Sequence, residues 1–252
     1  MCTGWIFIRP SSIYQLAYRK NKECIVPYDT EKVFIALLAA NKAVCQNQFA
    51  AFLFVSYIHC MVLATIADKA TIISLLSDAF DDNASVNYIV RQDKKRKERI
   101  MALMEYSFAQ CMLFGRVYLS EDKNACALLL FPDQKKTSLR TIFLDARLVV
   151  SAITIFNLLK VLRRERRVEA KRMKGRIVYV WYIAVKPGSQ AKGLGTRLLQ
   201  DVFEEAKRMG REICLETSTR KNLPWYQQHG FTVYDKLDLG YELFFLQRSD
   251  LY

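Results

Sequence analysis

Val185-Lys186-Pro187-Gly188-Ser189-Gln190-Ala191-Lys192-Gly193-Leu194-Gly195-Thr196 carries more structural information than any other stretch of this 252-residue chain. It follows the β-rich apolar run Ile177 to Val185 and opens a segment with Leu198, Leu199, Val202, Phe203, Ala206 and Met209 at the spacing of one buried helical face. The pattern is strand, tight turn, helix. Gly210, suited to a left-handed C-terminal position, stops the helix. The first amides of such a helix have no intrahelical acceptor, and the helix dipole adds partial positive charge beside them. That patch suits a phosphate. Gly193 and Gly195 lack a Cβ, so the backbone there is open to the close approach of a pyrophosphate.

Leu194 follows Gly193 where a P-loop requires Lys, and Leu198 stands where a dinucleotide fingerprint requires its third glycine. The spacing instead spells Gln-x-x-Gly-x-Gly through Gln190, Gly193 and Gly195. Downstream, Ile213 to Thr217 reads as a short strand. Asn222 to Phe231 reads as a short helix, with Pro224 in its first turn and Gly230 closing it. This order, with Tyr226-x-x-x-Gly230-Phe231, resembles the C-terminal half of the GNAT superfamily of acyl-CoA N-acyltransferases. Leu215-Glu216-Thr217-Ser218 with Asn222-Leu223-Pro224 and Tyr226 is similar to its puromycin N-acetyltransferase-like members. The close resemblance spans roughly Tyr179 to Val233. It implies an α/β (α+β) fold: a mixed, mostly antiparallel twisted sheet flanked by helices and splayed between its fourth and fifth strands.

The resemblance also implies a chemistry. Acetyl-CoA is the expected cosubstrate, with its pantetheine arm along the backbone of Ile183, Ala184 and Val185. Its pyrophosphate is expected on the loop Gln190, Ala191, Lys192, Gly193, Leu194, Gly195 and Thr196. A backbone amide near Ile183 to Val185 is expected to donate to the thioester oxygen as it gains negative charge. Asn222 matches a coenzyme-contacting asparagine, and it is equally suited to cap the short helix. Tyr226 stands where a phenol faces the coenzyme sulfur and protonates the departing thiolate, although a ring packed at that position would serve structure alone. Glu216 is the candidate base, with two other readings: a site for a cationic acceptor, or a strand-end carboxylate without catalytic duty. His229, just before Gly230, is read as structural, and neither histidine has metal-ligand company, so no metal is expected. The expected acceptor is a small-molecule amine. The alternatives are a protein or peptide amine, or a non-catalytic basic nucleic-acid-binding module on the same scaffold.

The net charge of +13 invites that last alternative. Its distribution argues against it. Lys94-Lys95-Arg96-Lys97 lies beside Glu98 in a helical stretch, and Arg163-Arg164-Glu165-Arg166-Arg167 reads as an exposed helix face; neither run interleaves with stacking aromatics. Seven cysteines without regular spacing give no disulfide framework and fit a reducing, cytoplasmic setting. Cys111, Cys126 and Cys214 read as core residues.

Residues 61–252 are assigned to the acyltransferase domain, beginning with a strand around Val62 to Thr65 and a helix through Leu75 and Leu76. A second helix is expected over 87–108 and a hairpin around Ser120 to Asn124. Residues 133–174 form a helical insertion whose exposed apolar residues are expected to line the acceptor pocket. Residues 1–60 are an extension, with a short strand expected over Trp5 to Pro10 and a helix over Thr30 to Ala51. The apolar run from Phe49 to Ala67 is read as two joined pieces and not a membrane span, because its aromatics crowd the middle. Met61 stands just before the first strand, so the natural product is expected to start there. No secretory signal is expected.

Overall fold

A computed structural model describes residues 61–190 and 192–248. The expected elements before residue 61 lie outside that range. Of the apolar run 49–67, residues 61–67 are described: β1 (Met61–Leu63) and the start of a one-turn 3-10 segment (Ile66–Asp68). Next come α1 (Lys69–Ala79), α2 (Ala84–Ile89), α3 (Arg96–Phe114) and the hairpin β2 (Gly115–Ser120) and β3 (Ala125–Leu130). The insertion contributes α4 (Leu139–Leu148) and α5 (Ile155–Glu169). Then follow β4 (Ile177–Val185), α6 (Leu194–Met209), β5 (Glu212–Thr217), α7 (Leu223–Gln228), β6 (Thr232–Asp238) and β7 (Glu242–Arg248).

The strands make one sheet in the order β1-β2-β3-β4-β5-β7-β6. Every neighbouring pair is antiparallel except β4–β5. Each face buries its own core. Ile72, Leu76, Ile100, Met104 and Phe108 of α1 and α3 pack on one side with Leu119 and Leu128. Leu198, Leu199, Val202 and Ala206 of α6 pack on the other with Leu129, Val178 and Val180. Cys111, Cys126 and Cys214 are buried free thiols, and burial pushes each well above the ordinary thiol range.

The split in the sheet begins at one residue. Pairing of β4 with β5 runs from Ile177↔Glu212 to Val180↔Leu215 and stops, although both strands continue. At the same level the β3–β4 register steps from Leu129↔Val180 to Leu128↔Tyr182, leaving Trp181 as a bulge. A bulge bends its strand and increases the local twist, which turns β4 away from β5. It also inverts side-chain alternation. Ile177 and Tyr179 face the α1/α3 core before it; Tyr182 and Ala184 face that core after it. The expected splay is therefore present and starts at Trp181.

Two expectations change, and the helical insertion takes a shape the sequence did not specify. The single helix over 87–108 is two helices, because Asn83 caps α2 through the Val86 amide at 3.1 Å and the chain turns before α3. Lys94 and Lys95 thus sit in a turn, not in a helix. The insertion is helical, as read, but sharply bent. Val149–Ile153 forms a π-turn, and α4 and α5 bend by 114° around it. Thr154 takes φ +65° and ψ 156°, a region in which a β-branched residue is strained. Tertiary bonds favour this break over helical continuity: the Arg91 amide donates to the Ala152 carbonyl at 3.2 Å and Arg99 Nη1 to the Ser151 carbonyl at 3.0 Å. Finally, Arg164 does not belong to a solvated face. Its side chain is 5% exposed and donates to Tyr241 Oη at 2.9 Å and Ser85 Oγ at 2.6 Å.

Candidate active site

On one side of the split, the stretch of β4 beyond its pairing with β5 and the loop into α6 line a cavity of about 710 Å³. Gly193 is the N-cap of α6 with φ +76°, and the first intrahelical bond runs from the Arg197 amide to the Gly193 carbonyl at 3.0 Å. The amides of Leu194, Gly195 and Thr196 are therefore the orphan donors of this helix, at its positive end. A Cβ on Gly193 would meet nothing within 4 Å, so its backbone angle is what calls for glycine. Gly195 differs: a Cβ there would only touch Val185 Cγ2 at 3.6 Å and Trp225 Cζ2 at 3.7 Å. The fold alone tolerates a side chain at Gly195, and only a ligand against the backbone would exclude it. Ile183, Ala184, Val185, Gln190, Gly193, Leu194, Gly195, Thr196 and Asn222 all line this cavity. Lys192 is exposed and lies outside the lining, and Ala191 lies outside the described residues.

On the other side is a cavity of about 430 Å³ between the sheet, α2 and the insertion, within the size range of small-molecule sites. Aromatic rings line it. Trp181 stacks on Tyr182 with centroids 5.8 Å apart, Phe80 meets Tyr182 edge-on at 5.0 Å, and Tyr106 meets Trp181 edge-on at 6.3 Å. The insertion supplies an apolar wall of Leu148, Val149, Ile153, Leu158, Val161 and Leu162. The rest of its expected pocket-lining residues do not reach: Leu139, Ile142, Phe143, Val150 and Leu159 are exposed and line neither cavity.

Both cavities touch Asn83, Ile183, Ser218, Asn222 and Tyr226. Tyr226 is 6% exposed, its ring wedged edge-on between Trp225 at 4.9 Å and Phe231 at 5.6 Å. Burial raises its phenol to about 12, so it carries its proton at neutral pH and has one to donate. Trp225 Nε1 donates to Thr196 Oγ1 at 3.3 Å and thereby ties α7 to the first turn of α6. Asn222 occupies the N-cap position of α7 but makes no side-chain cap bond, which leaves its amide facing the cavities without that duty. His229 Nδ1 lies 2.7 Å from the Trp225 carbonyl and closes α7, and the ring lines neither cavity.

Glu216 lines the smaller cavity and is nearly buried, but it is not alone. Arg172 Nε donates to its Oε1 at 2.7 Å, and the guanidinium lies over the Tyr179 ring at 4.8 Å. Arg172 was not among the sequence candidates. Nor were Asn83 and Ser218, joined at 3.3 Å, or Tyr106, whose hydroxyl donates to Asp145 Oδ1 at 2.7 Å. Ser218 stood in the quoted motif without a role of its own; Arg172, Asn83 and Tyr106 lie in helices and turns far from it in sequence, and no local spacing marks them. Only Trp181 carried a signal, as a large aromatic inside the β4 run. Among the described residues no group of three or more His, Cys, Asp or Glu side chains could hold a metal ion.

Residues 159–233, which include β4, the loop, α6, β5 and α7, match the model of a family described as acetyltransferase (GNAT) domain. A structure described as histone acetyltransferase HPA2 and related acetyltransferase, from Corynebacterium glutamicum, is similar at 18% identity and a TM-score of 0.54, covering 75% of this chain and 94% of that one. Arylalkylamine N-acetyltransferase 2 from Aedes aegypti is similar at 14% identity and a TM-score of 0.50, covering 74% and 96%. The C-terminal condensation domain of Ebony, in complex with beta-alanyl-dopamine, is similar at 6% identity and a TM-score of 0.54, covering 75% and 97%. At these identities the likeness is one of fold. The fold is that of the GNAT acetyltransferases, and the segment matched by the family model carries the strand, loop and helices of the larger cavity.

Proposed function

We propose that this protein transfers an acetyl group from acetyl-CoA to an amine of a small molecule by direct attack on the thioester. The observation that carries this reading is the meeting of two cavities in the sheet split, at Ile183, Asn222 and Tyr226. The larger one offers what a pantetheine arm and the adjoining pyrophosphate need: a stretch of β4 still paired with β3 but free on its β5 edge, and a helix N-terminus with three orphan amides. The smaller one is a walled cavity of small-molecule size. The amine nitrogen attacks the thioester carbon, a backbone amide of Ile183 to Val185 donates to the oxygen as charge builds, and the C–S bond breaks. Tyr226 gives its proton to the departing thiolate, and the proton that Glu216 takes from the amine passes on to the phenolate or to solvent. Glu216 takes the amine proton directly or through water, in competition with its bond to Arg172.

The test is thiol release from acetyl-CoA with a panel of aryl, alkyl and aminonucleoside amines and a lysine peptide. The aminonucleoside examines the likeness to puromycin N-acetyltransferase-like members. Acetylation of one of the small amines is the expected result. Transfer to the peptide alone moves the function to protein acetylation, and no thiol release with any acceptor leaves a binding module.

A further inference from the structure

The insertion carries twelve lysines and arginines against four aspartates and glutamates between residues 133 and 174. It also exposes more large apolar surface than any other part of the described chain. On α5, Val161, Arg164 and Val168 are buried, whereas Ile155 and Leu159 occupy the opposite side of the helix, Phe156 flanks them, and Leu162 is half exposed at the edge of the smaller cavity. Phe156 is 80% exposed. Leu139, Ile142 and Phe143 make the corresponding outward face of α4, with Leu139 87% exposed, and Val150 projects from the turn between the two helices. Soluble surfaces rarely gather so many apolar side chains without covering them. Beyond Leu162 the outward side of α5 turns cationic through Arg163, Arg166 and Arg167. Arg140, Arg163 and Arg166 make no ion pair among the described residues.

We infer that this face of α4 and α5 docks onto the surface of an anionic lipid bilayer. The chemistry is that of an interfacial helix: Phe, Leu and Ile enter the acyl boundary while neighbouring arginines meet anionic headgroups. No single described helix is long and apolar enough to cross a membrane. Leu139–Ile153 and Ile155–Glu169 together meet that test in length and composition, but the 114° bend suits them to lying along a surface instead of crossing it. The charge favours lipid over a second copy of the chain, because two faces of this composition would repel. It favours lipid over a nucleic acid as well, because contacts to phosphates have no use for an apolar ridge. Surface docking of this kind is distinct from the membrane span considered for the run from Phe49 to Ala67.

Flotation of the full chain with vesicles tests it. Vesicles of mixed phosphatidylcholine and phosphatidylserine are expected to carry the protein up the gradient, and phosphatidylcholine alone to carry far less. Phe143→Ser/Phe156→Ser/Leu159→Ser should lower the bound fraction roughly tenfold or more, since three apolar side chains lose their burial. The thermal melt should be unchanged, because none of the three is buried. Arg163→Gln/Arg166→Gln should lower binding to the anionic vesicles about fivefold per arginine, and added salt should erase that difference. Acetyl transfer to a soluble amine should be unaffected in both variants, so failure of the lipid reading is distinct from failure of the enzymatic one. Three results overturn the proposal: wild-type protein that floats no better than the triple variant, a wild-type dimer that the triple variant dissolves, or retention of RNA by the wild type without vesicle binding.

Discussion

The β4–loop–α6 unit and the helical insertion flank the same split in the sheet, and they are held in opposite ways. The α6 unit buries Leu198, Leu199, Val202 and Ala206 in one apolar core and places its cavity-facing amides by backbone angles, chiefly the left-handed Gly193. In the insertion, α4 buries only Thr141. Beyond α4 the insertion buries Ala152, Ile153, Val161 and Val168, and long side chains pin it: Arg147 to Glu105 at 2.9 Å, Arg172 to Glu216 at 2.7 Å, Lys171 to Asp235 at 2.6 Å, and Arg164 to Ser85 and Tyr241. A phosphate site made of amides needs a rigid backbone and is indifferent to most side chains. A pocket that selects an acceptor needs the reverse.

The largest effect should come from Tyr226, where the cavities beside the two regions meet. Tyr226→Phe is expected to lower kcat by about 10²–10⁴-fold, the usual worth of a general acid. The melting temperature and acetyl-CoA affinity should hardly move, because the ring packing survives. Wild-type turnover in an assay limited by chemistry would reduce Tyr226 to packing. Its raised phenol has a second consequence. The acid form persists to higher pH than an ordinary tyrosine's, so kcat should show no falling limb from this group between about pH 8 and about pH 10. A limb near 10 that vanishes in the Phe variant would show a phenol less shielded than the packing indicates.

On the insertion side, Arg172→Leu leaves the Glu216 carboxylate nearly buried and unpaired, and should cost about 3 kcal/mol in urea unfolding. Replacing both residues with leucine should recover much of that loss. If the single variant unfolds like the wild type, the pair does not anchor the insertion. On the loop side, Gly193→Val forces a β-branched residue to φ +76° and should weaken acetyl-CoA binding about 10- to 100-fold by calorimetry, with the domain folded. Unchanged affinity would remove the loop from the site. The smallest effect has the opposite sign. Thr154→Gly relieves a backbone angle that suits glycine and should stabilise the protein by about 1 kcal/mol, read as a rise of a few degrees in Tm. A fall would mean that the threonine side chain holds the bend.

Legibility in the sequence follows the same division. Gly193 and Gly210 bracket α6 with positive φ, Pro224 and Gly230 bound the short helix, and the apolar spacing of α6 matches its buried face. Each of these is a local event, governed by a residue's own φ or by neighbours within a few positions, so the strand-turn-helix unit was readable without coordinates; the mixed sheet and the positions singled out at Gln190, Asn222 and Tyr226 came from the resemblance to the acyltransferase family. The bulge at Trp181, which opens the split and inverts the alternation of β4, was not, because strand pairing sets it and an apolar run reads alike in either register. Arg164 read as solvated because its partners, Ser85 and Tyr241, lie 79 and 77 positions away. The break at Thr154 defied a sustained helical period because bonds from Arg91 and Arg99 outweigh the lost helical continuity. Backbone conformation is specified by short-range sterics and so is written locally. Which charge meets which partner, and where a helix must bend to reach it, depend on distant parts of the chain coming together, and only the tertiary structure decides them.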